Sequence, residues 1–119
     1  GLATEKTAAP ATAGVTEILR HLPPRLGRDL LCLSMEDHYV RLHTEQGSVL
    51  VLMSLGQAAE PLGELEGLQV HRSWWVACRA VARVIEDGRR VRVLLKGGIE
   101  APVSRANVAR LRSAGWLGA

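Results

Sequence analysis

Residues 39–53 read YVRLHTEQGSVLVLM, and this stretch decides the fold. In its first six residues apolar and polar side chains alternate, which is the pattern of a half-buried β-strand with one face formed by Val40, Leu42 and Thr44. Glu45-Gln46-Gly47 then provides a turn, and the apolar run from Ser48 to Met53 provides a return strand. The stretch therefore predicts a β-hairpin.

The chain on the N-terminal side of this hairpin has three kinds of segment. Residues 1–13 are rich in Ala, Thr and Pro, which indicates a flexible tether. Residues 16–22 have helical spacing, and Pro23-Pro24 ends this short helix. The apolar run from Leu30 to Met35 predicts a further strand. We therefore divide the chain into a tether with a short helix, residues 1–25, and one domain, residues 26–119.

The residues after the hairpin continue the pattern of short elements. Ser54 is placed to cap a helix over residues 55–65, and because Pro61 lies inside it we expect this helix to be kinked or broken. Further strands are predicted over 74–77, 80–85, 90–95 and 99–103. The turn sequence Asp87-Gly88 separates the second of these strands from the third, and Gly97-Gly98 separates the third from the fourth. Ser104 is placed to cap a final helix. This pattern predicts a mostly β domain and leaves its topology open.

Charge is distributed unevenly along the 119 residues, whose net charge is +3. Residues 1–66 hold 5 basic and 9 acidic side chains, a net charge of −4, whereas residues 67–119 hold 10 basic and 3 acidic side chains, a net charge of +7. A basic segment of this kind attracts a polyanion, because neutralised phosphates release condensed counterions. A solvated basic surface without a partner explains the arginines alone equally well.

Several classes of protein are not favoured by the sequence. It has no apolar run of about 18 residues that could span a bilayer. It also has neither a Gly-x-Ser-x-Gly motif nor a glycine-rich phosphate loop, so we expect no enzyme and no cofactor. Cys32 and Cys78 lack zinc-site spacing and have apolar neighbours, so we expect buried free thiols without metal or disulfide. Trp74 and Trp75 point to opposite faces of a strand, and we expect core packing rather than stacking on bases.

Candidate DNA-reading side chains lie on short connections between the predicted elements. His38 lies between two strands, His71-Arg72-Ser73 precedes the strand 74–77, and Ser104-Arg105 follows the last strand. A connection held by packed strands can present such side chains to the groove edges of DNA. Arginine is suited to this role because its guanidinium makes bidentate contacts to guanine in the major groove.

Four motifs, in this order and spacing, resemble the LytTR DNA-binding domain of bacterial transcription regulators: Glu36-Asp37-His38-Tyr39-Val40, Thr44-x-x-Gly47, Val70-His71-Arg72-Ser73-Trp74-Trp75-Val76 and Pro102-Val103-Ser104-Arg105. The resemblance covers about residues 26–111. It implies an elongated fold of small antiparallel sheets with one or two short helices, whose loops enter successive major grooves and bend the duplex. The family's base-contacting positions fall on His38, Arg72 and Arg105, and Ser73 and Ser104 match positions of backbone contacts. Some relatives have Asn in place of Arg72, so the preferred bases need not transfer.

The resemblance also implies partners. The expected partner is double-stranded promoter DNA with paired direct repeats, so that two copies of the domain share one site. Further phosphate contacts are expected from a pool of basic residues: Arg79, Arg89, Arg90, Arg92, Lys96 and Arg110. Because the chain starts with Gly1 rather than Met, we expect an upstream sensor, receiver or membrane segment outside this sequence. The expected location is cytoplasmic, with the full-length protein tethered to a membrane as one arrangement. The alternative function is a β-rich protein-interaction or ligand-binding module.

Overall fold

The elongated shape and the two sheets confirm the predicted mostly β class. A computed structural model describes residues 17–64 and 67–117, and its principal dimensions are 55 × 29 × 25 Å. The elements in chain order are β1 (Cys32–Glu36), β2 (Tyr39–Thr44), β3 (Gly47–Leu52), α1 (Leu55–Ala59), β4 (Gly67–His71), β5 (Trp74–Ala77), β6 (Val81–Asp87), β7 (Arg90–Leu95), β8 (Glu100–Val103) and α2 (Arg105–Ser113). Four short 3-10 segments connect them, at Pro24–Leu26, Glu60–Glu64, Cys78–Ala80 and Lys96–Gly98.

All strand pairs of the two sheets are antiparallel. The larger sheet has five strands in the order β3-β2-β1-β5-β4, and the smaller one has three in the order β6-β7-β8. The central strand β1 pairs with β2, its neighbour along the chain, and with β5, which lies far from it in sequence. The two sheets meet where β8 lies against β4 and β5. Local patterns predict the hairpins, whereas the pairing of β1 with β5 brings together distant parts of the chain.

The hairpin of β2 and β3 has the predicted strands and faces. Thr44 pairs with Gly47, so the turn itself consists of Glu45 and Gln46. The Thr44 hydroxyl accepts a hydrogen bond from the Gln46 N–H at 3.2 Å and donates one to the Gly47 carbonyl at 3.3 Å. Strand β3 is an edge of the sheet, and its outer face is apolar, because Leu50 and Leu52 are exposed.

The segment after the hairpin departs in part from the predicted helix. The Ser54 cap is confirmed, since its hydroxyl accepts from the Gln57 N–H at 3.1 Å and the Gln57 side chain accepts from the Ser54 N–H at 2.9 Å. The predicted break at Pro61 is confirmed as well, because α1 ends at Ala59 and a 3-10 segment carries the proline. Strand β4 was not predicted from the sequence. It forms by pairing with β5, with a bulge between Gln69 and His71.

The last part of the chain has the predicted strand–strand–strand–helix order. The turn after β7 has three residues, Lys96–Gly98, closed by a hydrogen bond of 2.8 Å from the Leu95 N–H to the Ile99 carbonyl. Ser104 occupies the N-cap position of α2, but the prediction that its side chain caps the helix is wrong. Its hydroxyl instead accepts from the Asn107 amide at 2.6 Å, and this side-chain pair replaces the cap.

A single apolar core runs through both sheets. Its centre includes Leu33, Leu42 and Trp75, which are neighbours across three adjacent strands. Ile18 and Leu22 belong to the same cluster, so residues of the predicted short helix pack on the domain. The predicted cap of that helix, Thr16, and the segment 1–13 lie outside the described residues. The division of the chain at residue 25 therefore stays a prediction.

The two cysteines are free, as predicted, but only Cys32 is fully buried, whereas Cys78 is half-buried. Burial raises the pKa of the Cys32 thiol to about 12, so this group has almost no reactive thiolate at pH 8.

We expect a thiol reagent at pH 8 to modify Cys78 in the native protein and to reach Cys32 only after denaturant is added. Peptide mapping of the labelled sites checks this. Equal labelling of both cysteines in the native protein would contradict the burial of Cys32.

Candidate nucleic-acid interface

Two of the candidate turns lie side by side at one edge of the five-stranded sheet. The turn Asp37-His38 joins β1 to β2, and the turn Arg72-Ser73 joins β4 to β5. A hydrogen bond of 2.9 Å from the Met35 N–H to the Ser73 carbonyl ties the second turn to the end of β1. Since β1 lies between β2 and β5, the turn centres are about 10 Å apart measured across the strands. We call this end of the strands, where the two turns lie, the recognition edge.

The backbone of each turn is held in a defined conformation. Asp37 has a φ of 57°, a left-handed conformation that aspartate tolerates better than most residues, and it leaves His38 exposed at the tip. In the other turn the His71 ring accepts a hydrogen bond at Nδ1 from the Ser73 N–H at 3.1 Å. Arg72 is exposed, and the described residues provide it with no ion pair. Its guanidinium is therefore available to a partner.

Arg105 joins the same side of the molecule through the backbone. The Ser104 N–H donates to the Val70 carbonyl at 2.8 Å, and Val70 lies one residue before the end of β4. The first residue of α2 is thus fixed next to the strand that leads into the Arg72 turn. The structure thus places the His38 turn, the Arg72 turn and the start of α2, whose first residue is Arg105, at one side of the molecule, although the three residues are far apart in sequence.

The structure divides the predicted phosphate-contacting residues into groups by position. Arg89 and Arg90 lie at the β6–β7 turn, and the pairing of Val91 with Val103 places that turn beside the start of α2. Arg79 and Lys96 lie at the edge opposite the recognition edge, where Arg79 Nη2 is 3.0 Å from an Asp29 carboxylate oxygen.

The other two arginines of that pool have different surroundings. Arg92 lies on β7, with its Nε 3.2 Å from a carboxylate oxygen of Glu100 on β8. Arg110 is exposed on α2. Position alone thus favours Arg89 and Arg90 as neighbours of Arg105.

A basic groove separates the β6–β7 turn from α2. It has a volume of about 550 Å³ and is lined by Glu86, Gly88, Arg89, Val91, Arg105, Val108, Ala109 and Arg112. A second groove of about 370 Å³ shares Arg89, Val91 and Arg105 with the first and extends to Arg92, Pro102 and Val103. Sequence reasoning missed Arg112. Helical spacing could have found it, because residues 105, 108, 109 and 112 share one face of a helix.

A polar network covers part of the outer face of the five-stranded sheet. Arg41 donates to the Glu36 carboxylate and, at 2.8 Å, to the Ser48 hydroxyl. The hydrogen bond from Arg41 holds the pKa of Glu36 below its usual value. His43 lies beside this pair, and burial, together with the charge of Arg41, lowers the pKa of its imidazole. A neutral His43 is therefore favoured at neutral pH.

The two tryptophans have the predicted opposite orientations. Trp75 is buried in the core, which confirms the preference for core packing. Trp74 is half-buried and stacks on His43 with ring centroids 5.9 Å apart, and His43 Nε2 in turn lies 2.8 Å from the Ser34 hydroxyl. The face of Trp74 that meets His43 is thus already occupied by a protein ring.

The described ranges, residues 17–64 and 67–117, also bear on metal binding and on membrane crossing. Within them, no group of three or more His, Cys, Asp or Glu side chains is placed to hold a metal ion. Over the same ranges, no helix combines the length and the apolar character that crossing a membrane requires.

Comparison with known proteins gives consistent results. The profile of the LytTr DNA-binding domain family matches residues 27–116. An alignment of 116 residues with the CO-responsive transcriptional regulator RcoM of Rhodospirillum rubrum has 32% identity, and it covers 89% of this chain and 48% of that protein. The chain thus spans about half the length of this curated relative.

A solved structure agrees with the fold. It is the LytTr DNA-binding domain of a protein described as a methyl-accepting/DNA response regulator from Bacillus cereus, with a TM-score of 0.63 and 19% identity. The match covers 74% of this chain and 82% of that domain. At this identity the likeness shows the fold alone. The family match over residues 27–116 shows that the chain belongs to the LytTR family of DNA-binding domains, a family of binding modules rather than of enzymes.

Proposed function

We propose that this domain reads a specific sequence in double-stranded promoter DNA, with His38, Arg72 and Arg105 inserted into the major groove. The observation that carries the proposal is that a hydrogen-bonded β framework holds the two turns with His38 and Arg72 and the start of α2 with Arg105 at one side of the molecule. Such a framework fixes the side chains before binding, which reduces the ordering entropy that association must overcome.

Each of the three residues has a defined chemical role in this proposal. The guanidinium groups of Arg72 and Arg105 donate bidentate hydrogen bonds to guanine, and each such contact contributes about 1–3 kcal/mol of discrimination. His38 contacts a base edge as donor or acceptor, because imidazole can be either. The backbone and hydroxyl groups of Ser73 and Ser104 contact phosphate beside them.

The predicted phosphate-contacting residues would supply further contacts, and their positions in the fold rank them. Arg89 and Arg90 lie beside Arg105 and come first, and Arg92 follows them. Arg79 and Lys96 would reach the duplex only if it bends around the domain. Arg110 lines neither of the grooves beside Arg105, so no phosphate contact is assigned to it. Bending is part of the proposal, since loops that enter consecutive grooves favour DNA with flexible steps between the contacted bases.

The wider context is a transcription regulator. The relative from Rhodospirillum rubrum is described as a CO-responsive transcriptional regulator, and this chain corresponds to about half of such a protein. We propose the role of output domain, working at the chromosome in the cytoplasm, with two copies bound to direct repeats in a promoter. The input segment of the regulator would lie outside this sequence.

Binding to random duplex DNA at two salt concentrations tests the proposal. We expect binding at low salt that weakens steeply as salt rises, because each phosphate contact contributes a slope of about −0.9 to the plot of log affinity against log salt concentration. Selection of bound duplexes from a random pool should then yield one motif, repeated in direct orientation. Fluorescence anisotropy and sequencing of the pool are the measurements. If the domain binds no duplex at low salt, the proposal is wrong.

A protein-interaction module is the second candidate, favoured by an exposed apolar strip. Tyr39, Leu50 and Leu52 are exposed on neighbouring positions of β2 and β3, and β3 is an edge strand. Such strips often mark surfaces that contact other proteins. A module with this function alone would bind random duplex weakly and without a steep salt dependence, so the same titration separates the two candidates.

A further inference from the structure

The basic groove between the β6–β7 turn and α2 has a composition suited to a phosphate backbone. Three guanidinium-bearing side chains line it, from Arg89, Arg105 and Arg112, against a single carboxylate, that of Glu86. Over the described residues none of these three arginines forms an ion pair, whereas Arg20, Arg41, Arg79 and Arg92 do. The charge of the groove is therefore not neutralised within the domain.

The shape of the groove favours a polymeric anion over a small one. Its apolar lining comes from Val91, Val108 and Ala109, and its charged lining from Glu86 and the three arginines. It shares Arg89, Val91 and Arg105 with the second groove, so the two grooves adjoin and together form a basic track at the turn of the β6–β7 hairpin. A sugar–phosphate chain presents a negative charge at regular intervals along such a track.

We propose that this groove holds one strand of the DNA backbone, with a phosphate bound between Arg89 on the hairpin and Arg112 on α2. The inference rests on the proposed function and extends it by naming the groove that binds the backbone beside Arg105. Arg105 lines the same groove, so the bound backbone would lie next to this base-reading residue. Arg112, which lay outside the pool predicted from sequence, then contributes a phosphate contact that the neighbouring Arg110 does not.

The pair Arg112→Ala and Arg110→Ala provides a matched test. Both residues are exposed, both lie in the last turn of α2, and each substitution removes one positive charge, so general electrostatic and helix-dipole effects are the same. We expect Arg112→Ala to weaken binding to selected and to random duplexes alike, roughly tenfold at 0.1 M salt, and to reduce the salt slope by about 1. Arg110→Ala should leave affinity within about twofold of wild type. Arg112→Lys, which keeps the charge, should retain most of the affinity.

Each outcome decides the inference. Equal losses in the Arg110 and Arg112 variants would overturn it while leaving DNA binding in place. A changed base preference in Arg112→Ala would overturn it too, because it would make Arg112 a base-reading residue. If the wild-type domain binds no duplex at all, the proposed function fails and this inference fails with it. Thermal unfolding followed by circular dichroism shows whether the three variants are folded.

Discussion

Arg72→Ala is expected to lower affinity for the selected duplex by about 1–3 kcal/mol, which corresponds to roughly 5- to 150-fold. The side chain is exposed on a two-residue turn that a backbone hydrogen bond from Met35 to Ser73 anchors to β1, so its removal should leave the fold intact. Preference for the base it reads should relax at one position of the motif, whereas binding to random duplex should change little. Anisotropy with the selected duplex and with single-base variants of it measures both effects.

Arg79→Ala is the control for this prediction. It removes the same charge from an exposed arginine, but at the edge opposite the recognition edge, where the guanidinium pairs with Asp29. We expect no change in base preference for this variant. If both variants lose affinity equally for every duplex, the role of Arg72 is electrostatic and its assignment as a base-reading residue is wrong.

Leu33→Ala is expected to have the largest effect on stability, a loss of about 2–5 kcal/mol in the free energy of unfolding. Leu33 is fully buried in the central strand and has Leu42 and Trp75 as its neighbours across the sheet. Truncation removes the apolar contact area and leaves a cavity that a strand hydrogen-bonded on both sides cannot close. Urea unfolding followed by tryptophan fluorescence gives the free energy.

Leu52→Ala is the matched control, since it is the same substitution at a side chain that is 68% exposed on the edge strand. We expect its free energy of unfolding to stay within about 0.5 kcal/mol of wild type. Comparable losses at both positions would mean that β3 is covered by a contact that the isolated domain does not show, for example with a second copy.

The sequence predicted the elements whose signals are local. The alternation of residues 39–44 identified β2 and both its faces, the Asp87-Gly88 pair identified the second hairpin, and Pro61 identified the end of α1. In each case a short-range property, such as side-chain period, turn chemistry or a missing N–H, determines the conformation. The resemblance to the LytTR family, carried by four motifs, then supplied the fold and the function class.

Strand β4 could not be predicted so directly, because it begins with a glycine and its pairing depends on tertiary contacts. A Cβ placed on Gly67 would lie 2.3 Å from Cζ2 of Trp75, so the ring of Trp75 occupies the space that a strand-forming side chain would need. The alternation of Leu68 and Val70 with Gln69 and His71 was the signal available. Ser104 shows a different limit, because its hydroxyl accepts from the side-chain amide of Asn107, three residues later in the same helix, and this local competitor of the cap was overlooked.

The candidate site was predictable only as separate residues. Each of His38, Arg72 and Arg105 could be recognised on its own connection, but their grouping depends on two long-range contacts. One is the pairing of β1 with β5, and the other is the hydrogen bond from Ser104 to Val70. The groove with Arg112 depends on a further contact, the pairing of Val91 with Val103, which places α2 beside the second hairpin.

The shared attachment of the two turns to β1 also limits which operators can be tolerated. Neighbouring strands cannot move apart without breaking their hydrogen bonds, so the interval between the His38 and Arg72 turns is fixed. One base pair inserted in an operator displaces the next base by about 3.4 Å and rotates it by about a tenth of a helical turn. Only the DNA can absorb that mismatch, by twisting or bending at its softer steps. The bases between the two contacted positions, which the protein does not contact, then determine how much variation in spacing an operator tolerates.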